Sequence, residues 1–235
     1  MRFILNLHQF EASAGVRANW YLLDLIGKLG YSTASNVPAD PDDIVIYPDC
    51  IRGNPLNARR IVRYFMFFPS TIGDHWHCAD RTPASELMIV WHQSFFEDSQ
   101  KLYDGKLGHP ITIPTIESGL FYPEAKGIES MVYTGKYTFH ELPEIPIGVI
   151  VTRTSHSRKD LANMMRRTHN FYSMDHWTAA LYEAALCECA TFLVHGRNNF
   201  SSWKQDMDPQ SLVMNESKDL KLAREFVERA LDFFK

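Results

Sequence analysis

The chain has little cysteine and no CxxC pair. Cys50, Cys78, Cys187 and Cys189 are the four that occur in 235 residues. They are too few and too uneven for a disulfide framework, and their spacing is not that of a zinc knuckle or a redox motif. They are read as free, buried thiols in a reducing compartment. No apolar run approaches the ~20 residues needed to span a bilayer. The opening Met1-Arg2-Phe3-Ile4-Leu5-Asn6-Leu7-His8 is too short in its apolar part for a signal peptide and reads as a strand that begins at once. A cytoplasmic protein without a transmembrane segment is expected. Positive charge is not in excess, since 24 Lys and Arg face 28 Asp and Glu for a net −4. Residues 1–126 hold 11 basic and 14 acidic side chains, and residues 127–235 hold 13 and 14. Neither half is a basic nucleic-acid module by bulk charge. No G-x-G-x-x-G follows the first strand, which argues against a dehydrogenase.

What is present is a globular composition, 45% hydrophobic and 22% charged. Phe3–Leu7 is an apolar run of the kind a buried parallel strand carries. The small residues Glu11-Ala12-Ser13-Ala14-Gly15 follow, then a helical pattern from Val16 to Leu29 closed by Gly30. Strand, turn and helix open a βαβ unit. Ile44–Tyr47 is a second strand. Asn54–Phe68 reads as a helix with Pro55 at its start and Pro69 beyond its end. Leu87–Trp91 and Ile111–Ile113 are further strands. A second cycle starts near residue 129, with strands at Ser130–Thr134, Ile147–Thr152, Asn170–Tyr172 and Thr191–Val194. Its helices run from Ser157, which has capping-box spacing with Asp160, to about Thr168, and from about Trp177 to Cys187. An amphipathic helix, Ser217–Phe234, closes the chain. Alternating strands and helices predict α/β architecture: two Rossmann-like domains with mostly parallel sheets covered on both faces, residues 1–126 and 127–235, the closing helix counted with the second and folding back toward the first.

The most informative stretch is Phe171-Tyr172-Ser173-Met174-Asp175-His176-Trp177-Thr178-Ala179-Ala180-Leu181-Tyr182-Glu183-Ala184-Ala185-Leu186-Cys187. One acid precedes a helix and a second lies eight residues on, within it. On a continuous helix they are roughly 12 Å apart along the axis, about the reach of a nucleotide-sugar from ribose to sugar ring. The helix start between them suits a pyrophosphate.

This stretch resembles the D/E-x7-E region of GT-B glycosyltransferases, here Asp175-x7-Glu183 followed by Ala-Ala-Leu-Cys. Other pieces match in the same order. Ser13-Ala14-Gly15-Val16-Arg17-Ala18 is similar to the loop after the first strand. Tyr47-Pro48-Asp49-Cys50-Ile51-Arg52-Gly53-Asn54-Pro55-Leu56-Asn57-Ala58-Arg59-Arg60 resembles a YPE-x-x-x-GNPLNA-plus-R segment. Ile113-Pro114-Thr115-Ile116-Glu117 to Leu120-Phe121-Tyr122-Pro123 resembles the interdomain linker, and Val132-Tyr133-Thr134-Gly135-Lys136 a "YvGKG" strand end. The resemblance spans most of the chain and is thinnest at 70–110. It implies a short GT-B enzyme of the retaining type, a hexosyl- or pentosyltransferase that moves a sugar from a nucleoside-diphosphate sugar to an acceptor hydroxyl. Glu183 would bind the donor ribose and Asp175 the transferred sugar. Thr178 and Ala179 would offer backbone N–H groups to the phosphates. Lys136 would balance their charge, assisted by Arg153 or Arg158. Gly15 would let the first loop approach the donor. The acceptor would be a glycan, a lipid-linked sugar or a modified nucleic acid. No cofactor or metal is expected. The chain departs from the family at Ala14 and Glu188, each in place of a usual Gly, and at Tyr137 after the Lys136 turn.

Plainer readings stand beside these. Asp175 is also an ordinary helix N-cap, Glu183 a partner in an internal salt bridge, and Lys136 a solvated strand end. Arg52, Arg59, Arg60 and Arg63 form either a solvated helix face, with Arg59 and Arg63 at i,i+4, or a basic lip on the acceptor side. His92, at the end of a strand, is a candidate for acceptor-side catalysis or a structural histidine. His75-Trp76-His77-Cys78 with Asp80 lacks a partner cluster at metal-ligand spacing and reads as a loop at the cleft mouth. Two other functions remain: a viral-type nucleic-acid base glycosyltransferase, and a nucleotide-sugar-binding module without turnover.

Overall fold

The computed structural model describes residues 1–7, 13–66, 81–135, 144, 148–152, 155–176 and 178–235. The chain forms two units, Met1–Ile113 with Asn215–Lys235, and Pro114–Met214. The boundary thus falls earlier than the expected 126/127, and the closing helix belongs to the first unit. The cause is local. Thr115 and Ile116 donate their N–H groups to Leu212 O, and Lys126 Nζ donates to Cys187 O at 2.5 Å and to Arg166 O at 3.3 Å. The linker is therefore built into the second unit.

In the first unit, β1 (Arg2–Leu5), β2 (Ser32–Ser35), β3 (Ile44–Pro48), β4 (Arg60–Phe65) and β5 (Leu87–Val90) form a parallel sheet in the order β2-β1-β3-β4-β5. α1 (Ala14–Lys28) packs against β1, β2 and the closing helix, Glu216–Phe233. Phe226 of that helix meets Tyr64 of β4 edge to face at 5.5 Å. Tyr21 donates to Asp219 Oδ2 at 3.0 Å and fixes the closing helix to α1. The other face of the sheet presents Ile4, Val45, Tyr47 and Ile61, which pack with Ile51 and Ala58 of the β3–β4 connection. Loops, not helices, cover this face among the described residues. After β5, His92 caps a short 3-10 turn that runs into α2 (Phe96–Lys101).

Two sequence expectations are corrected here. Asn54–Phe68 was expected as a helix, but residues 54–66 form none and the rest lies outside the described residues; Arg59 and Arg63 share no helix face. Arg60–Phe65 holds β-branched Ile61 and Val62 and aromatic Tyr64 and Phe65, buried on both faces, and it pairs with β3 and β5. A central strand wins over a helix there because both faces find apolar partners. The Asn54 side chain closes the preceding turn: Oδ1 accepts from Ala58 N and from the Tyr47 hydroxyl, and Nδ2 donates to Ala58 O. Ile111–Ile113 is not a strand but a buried extended segment, held by Ile111 N to Val90 O and Trp91 Nε1 to Ile113 O.

The start of β1 is anchored by Asp43, which accepts from Arg2 N, Nε and Nη2 and from Asp40 N. The Arg2 guanidinium, together with the backbone N–H groups, outweighs burial and lowers the Asp43 carboxyl to about 2. A depressed pKa stabilises the fold above the unfolded value and loses that stabilisation as pH falls through the folded one. Asp43→Asn should therefore lower stability at pH 7 by about 2 kcal/mol. It should also remove the steepest part of acid destabilisation, between pH ~4 and ~2. Denaturant titrations at both pH values check this; parallel acid profiles for variant and parent would contradict it.

In the second unit, β6 (Ile128–Gly135), β7 (Val149–Thr152), β8 (Thr168–Ser173), β9 (Ala190–Gly196) and β10 (Asn199–Ser202) form a sheet in the order β10-β9-β8-β6-β7. All are parallel except β10, which returns on β9 as a hairpin. α3 (Arg158–Arg166) joins β7 to β8, and α4 (Ala179–Leu186) joins β8 to β9. Ser157 caps α3 through Oγ on Asp160 N, as the spacing predicts. Counted within each unit, both sheets run second, first, third, fourth, fifth, a common doubly wound order. No helix among the described residues is long and apolar enough to cross a membrane.

Candidate functional site

In a doubly wound sheet, the connections leaving the first and third strands diverge and open a crevice at their carboxyl ends. In the second unit those strands are β6 and β8. β6 ends at Gly135, and β8 is followed by Met174 and Asp175. Met174 N donates to Tyr133 O at 2.9 Å, and Ser173 Oγ donates to Asp175 O at 2.6 Å, so the loop after β8 is tied to the end of β6. Asp175 is 6% exposed. A Cβ on Gly135 would lie 2.3 Å from Asp175 Cβ, so the acid sits directly against the glycine. His176 continues the loop, its Nε2 3.0 Å from Val194 O.

The N-cap of α4 is Thr178, whose Oγ1 accepts from Ala180 N at 3.2 Å. The cap of α4 is therefore Thr178 and not Asp175. Only half of the Asp175–Glu183 interval is helical. Glu183 is the fifth residue of α4, about 6 Å along the axis from Ala179. The expected separation of 12 Å rested on one continuous helix, and that premise does not hold.

Glu183 is 1% exposed. Arg158 Nη1 lies 2.8 Å from both of its oxygens, while Arg158 Nη2 donates to Glu117 Oε2 at 2.7 Å. The Phe121 ring covers the guanidinium, with Cζ 4.8 Å from its centroid. Burial works against the Arg158 charge, but the two carboxylates outweigh it and hold its pKa above the ordinary value. The internal salt bridge is thus what Glu183 makes. Arg158 and Glu183, expected as separate donor contacts, form one pair that joins the first turn of α3 to the middle of α4.

The other expected positions are scattered. Lys136, Arg153 and the His75–Asp80 cluster lie outside the described residues. Gly15 sits in the first turn of α1, where a Cβ would make only ordinary contacts, at 3.8 Å to Ser13 Oγ and 3.9 Å to Met66 Sδ. The packing of the chain itself therefore leaves room for a side chain there. His92 lies just past β5 and uses Nδ1 on Ser94 N and Ser94 Oγ, a capping role. Arg52 and Arg59 are exposed. Arg63 is buried and bonded internally to Glu86, Ile51 O and Gly53 O, so it is no solvated lip. Among the described cysteines, Cys187 and Cys189 are buried free thiols whose pKa values burial pushes up to about 12 and about 11, and Cys50 is exposed. No group of three or more potential metal ligands occurs among the described residues.

Glu117, Lys126 and Gly135 were not singled out by sequence reasoning. Gly135 had a signal, its place at a strand end in Thr-Gly-Lys. Lys126 had none. Its ammonium closes the carboxyl ends of both α3 and α4. The departure at Glu188 has a defined cost. Glu188 N donates to Ala185 O and Cys189 N to Ala184 O, a Schellman end to α4 with a non-glycine residue at φ +57°. Glu188→Gly should raise the unfolding free energy by about 1 kcal/mol. Urea denaturation measures this, and a loss of stability would show that the Glu188 side chain contributes more than its backbone costs.

No family model, curated protein or solved structure matches the chain.

Proposed function

We propose that the chain is a glycosyltransferase that moves a sugar from a nucleoside-diphosphate sugar to an acceptor hydroxyl, its two units being the domains of a trimmed GT-B enzyme in the cytoplasm. The observation that carries this reading is the position of Asp175. It is a buried acid pinned against Gly135 at the diverging ends of β6 and β8, one short loop before the Thr178-capped start of α4. Ligands of doubly wound sheets bind at this kind of switch point, and a helix N-terminus there suits a pyrophosphate. In this reading Asp175 accepts hydrogen bonds from hydroxyls of the transferred sugar. The N–H groups of Thr178 and Ala179 face the phosphates. Arg158 supplies positive charge toward the leaving diphosphate, and Glu183 acts by positioning Arg158. The bond from the anomeric carbon to the phosphate oxygen breaks, and the acceptor oxygen bonds to that carbon on the same face. The acceptor proton passes to the departing diphosphate. Catalysis then rests on positioning and on neutralising the leaving group, with no protein nucleophile.

A second reading, a nucleotide-sugar-binding module without turnover, is favoured by one feature. Arg158 already occupies the carboxylate that the D-x7-E resemblance assigns to the ribose. Release of free nucleoside diphosphate from UDP-, GDP- and other nucleotide-sugars, with and without simple glycan acceptors, separates the two. Transfer predicts release from one donor, lost in Asp175→Ala. Thermal stabilisation by a nucleotide-sugar without release supports the module. No stabilisation by any donor removes both readings.

A further inference from the structure

Arg158, the first residue of α3, holds two acids at once: Glu183 through Nη1 at 2.8 Å and Glu117 through Nη2 at 2.7 Å. The two are not equivalent. The Glu183 side chain is 2% exposed, and withdrawing a guanidinium from a buried carboxylate is costly. The Glu117 side chain is 38% exposed, where solvent screens the ion pair and breaking it costs little. Glu117 is therefore the partner that can be exchanged. Its backbone need not move. Ile116 N donates to Leu212 O at 3.0 Å and Ile116 O accepts from Met214 N at 2.8 Å, so the chain entering Glu117 is fixed and a side-chain rotation suffices. The guanidinium is also incompletely used. Its Nε lies out of solvent and donates to no acceptor among the described residues, a standing cost for a buried donor. The Nε and Nη2 hydrogens of an arginine point along one edge, which can grip two oxygens side by side. Glu117 accepts on that edge from Nη2. Glu183 at Nη1 and the Phe121 ring against the plane hold the guanidinium in place when Glu117 leaves.

We propose, resting on the reading of the second unit as a nucleotide-sugar site, that Glu117 is a built-in competitor for the anion at Arg158. In the free protein its carboxylate holds Nη2. The diphosphate of the nucleotide displaces it, and two phosphate oxygens then take the Nε–Nη2 edge, satisfying the donor that Glu117 leaves unused. Each diphosphate must first break the Glu117 pair, so it binds more weakly than the edge alone would allow. The exchange run backwards helps the spent nucleoside diphosphate leave, a step that limits the turnover of many enzymes.

The test is calorimetric titration of the full chain and of Glu117→Gln with UDP, GDP and ADP, and separately with inorganic pyrophosphate. Glutamine keeps the length and can still accept from Nη2 but brings no charge, so the variant should melt close to the parent. Without the competing charge, the nucleoside diphosphate that binds, and pyrophosphate with it, should bind about three- to tenfold tighter. The matching nucleosides, which carry no phosphate, should show no such gain. In an Arg158→Lys background, which lacks the edge, the gain should vanish. Equal or weaker diphosphate binding in Glu117→Gln, or a gain that survives Arg158→Lys, overturns the exchange and leaves the nucleotide-sugar reading in place. A pyrophosphate gain with no nucleotide bound by either protein keeps the exchange and removes that reading. No binding of any probe to either protein overturns both.

Discussion

Arg158→Met lowers the unfolding free energy by about 3–5 kcal/mol, the cost of taking the guanidinium away from a buried carboxylate. Glu183 is the reason. It is 1% exposed in α4, and the guanidinium meets both of its oxygens. Arg158 is itself only 24% exposed, so solvent screens the pair far less than a surface bridge. Methionine replaces most of the apolar volume under Phe121 but none of the charge. The double variant Arg158→Met/Glu183→Leu should recover most of the loss, because apolar replacement of a whole buried pair is often neutral or stabilising by about 1–4 kcal/mol. Urea titrations of the parent, both single variants and the double variant form a cycle that isolates the coupling. Single and double variants of equal stability would show that Glu183 is satisfied by other groups.

Gly135→Ala is the second large effect, a destabilisation of about 2–5 kcal/mol from two sources. The residue lies at φ +62°, where a side chain strains the backbone by roughly 1–2 kcal/mol. Its Cβ would also stand 2.3 Å from Asp175 Cβ and 2.7 Å from Asp175 Oδ2. One of the two chains must move, and the loop before α4 is the less regular of the pair. Because the closest atom is a Cβ, Gly135→Ala/Asp175→Ala keeps the worst contact, whereas Gly135→Ala/Asp175→Gly removes it. The first double variant should therefore stay as unstable as Gly135→Ala, and the second should recover part of the loss. If Asp175→Ala rescues equally, the carboxylate and not the backbone approach sets the spacing. On the proposed function, Gly135→Ala also displaces the acid that faces the transferred sugar, so nucleotide-sugar stabilisation should fall with it.

The elements legible in the sequence are those whose pattern has one physical solution. α1 and the closing helix carry an apolar stripe at helical period, and the Ser157–Asp160 pair marks the start of α3 in four residues. Continuous apolar runs located β1, β3, β5 and β6 to within a few residues. Asn54–Phe68 failed because its proline and arginine spacing imitate a helix, while burial on both faces selects a strand. β2 and β10 were missed because Ser32–Ser35 and Asn199–Ser202 are polar edge strands whose main signal is their neighbour's backbone.

By itself the sequence determined that this chain is an α/β protein of two cycles, and it marked Asp175 and Glu183 as the acids to examine. These follow from period, composition and turn chemistry, which act over a few residues. Only the tertiary structure decided that Asp175 faces Gly135 across the ends of β6 and β8, while Glu183 is closed by Arg158. It also decided that Arg63 lies in the sheet and that the closing helix returns to the first unit. Those outcomes depend on which strands become neighbours and which charges must share a buried space. They are set by long-range pairing and desolvation, and neither is written in the local order of residues.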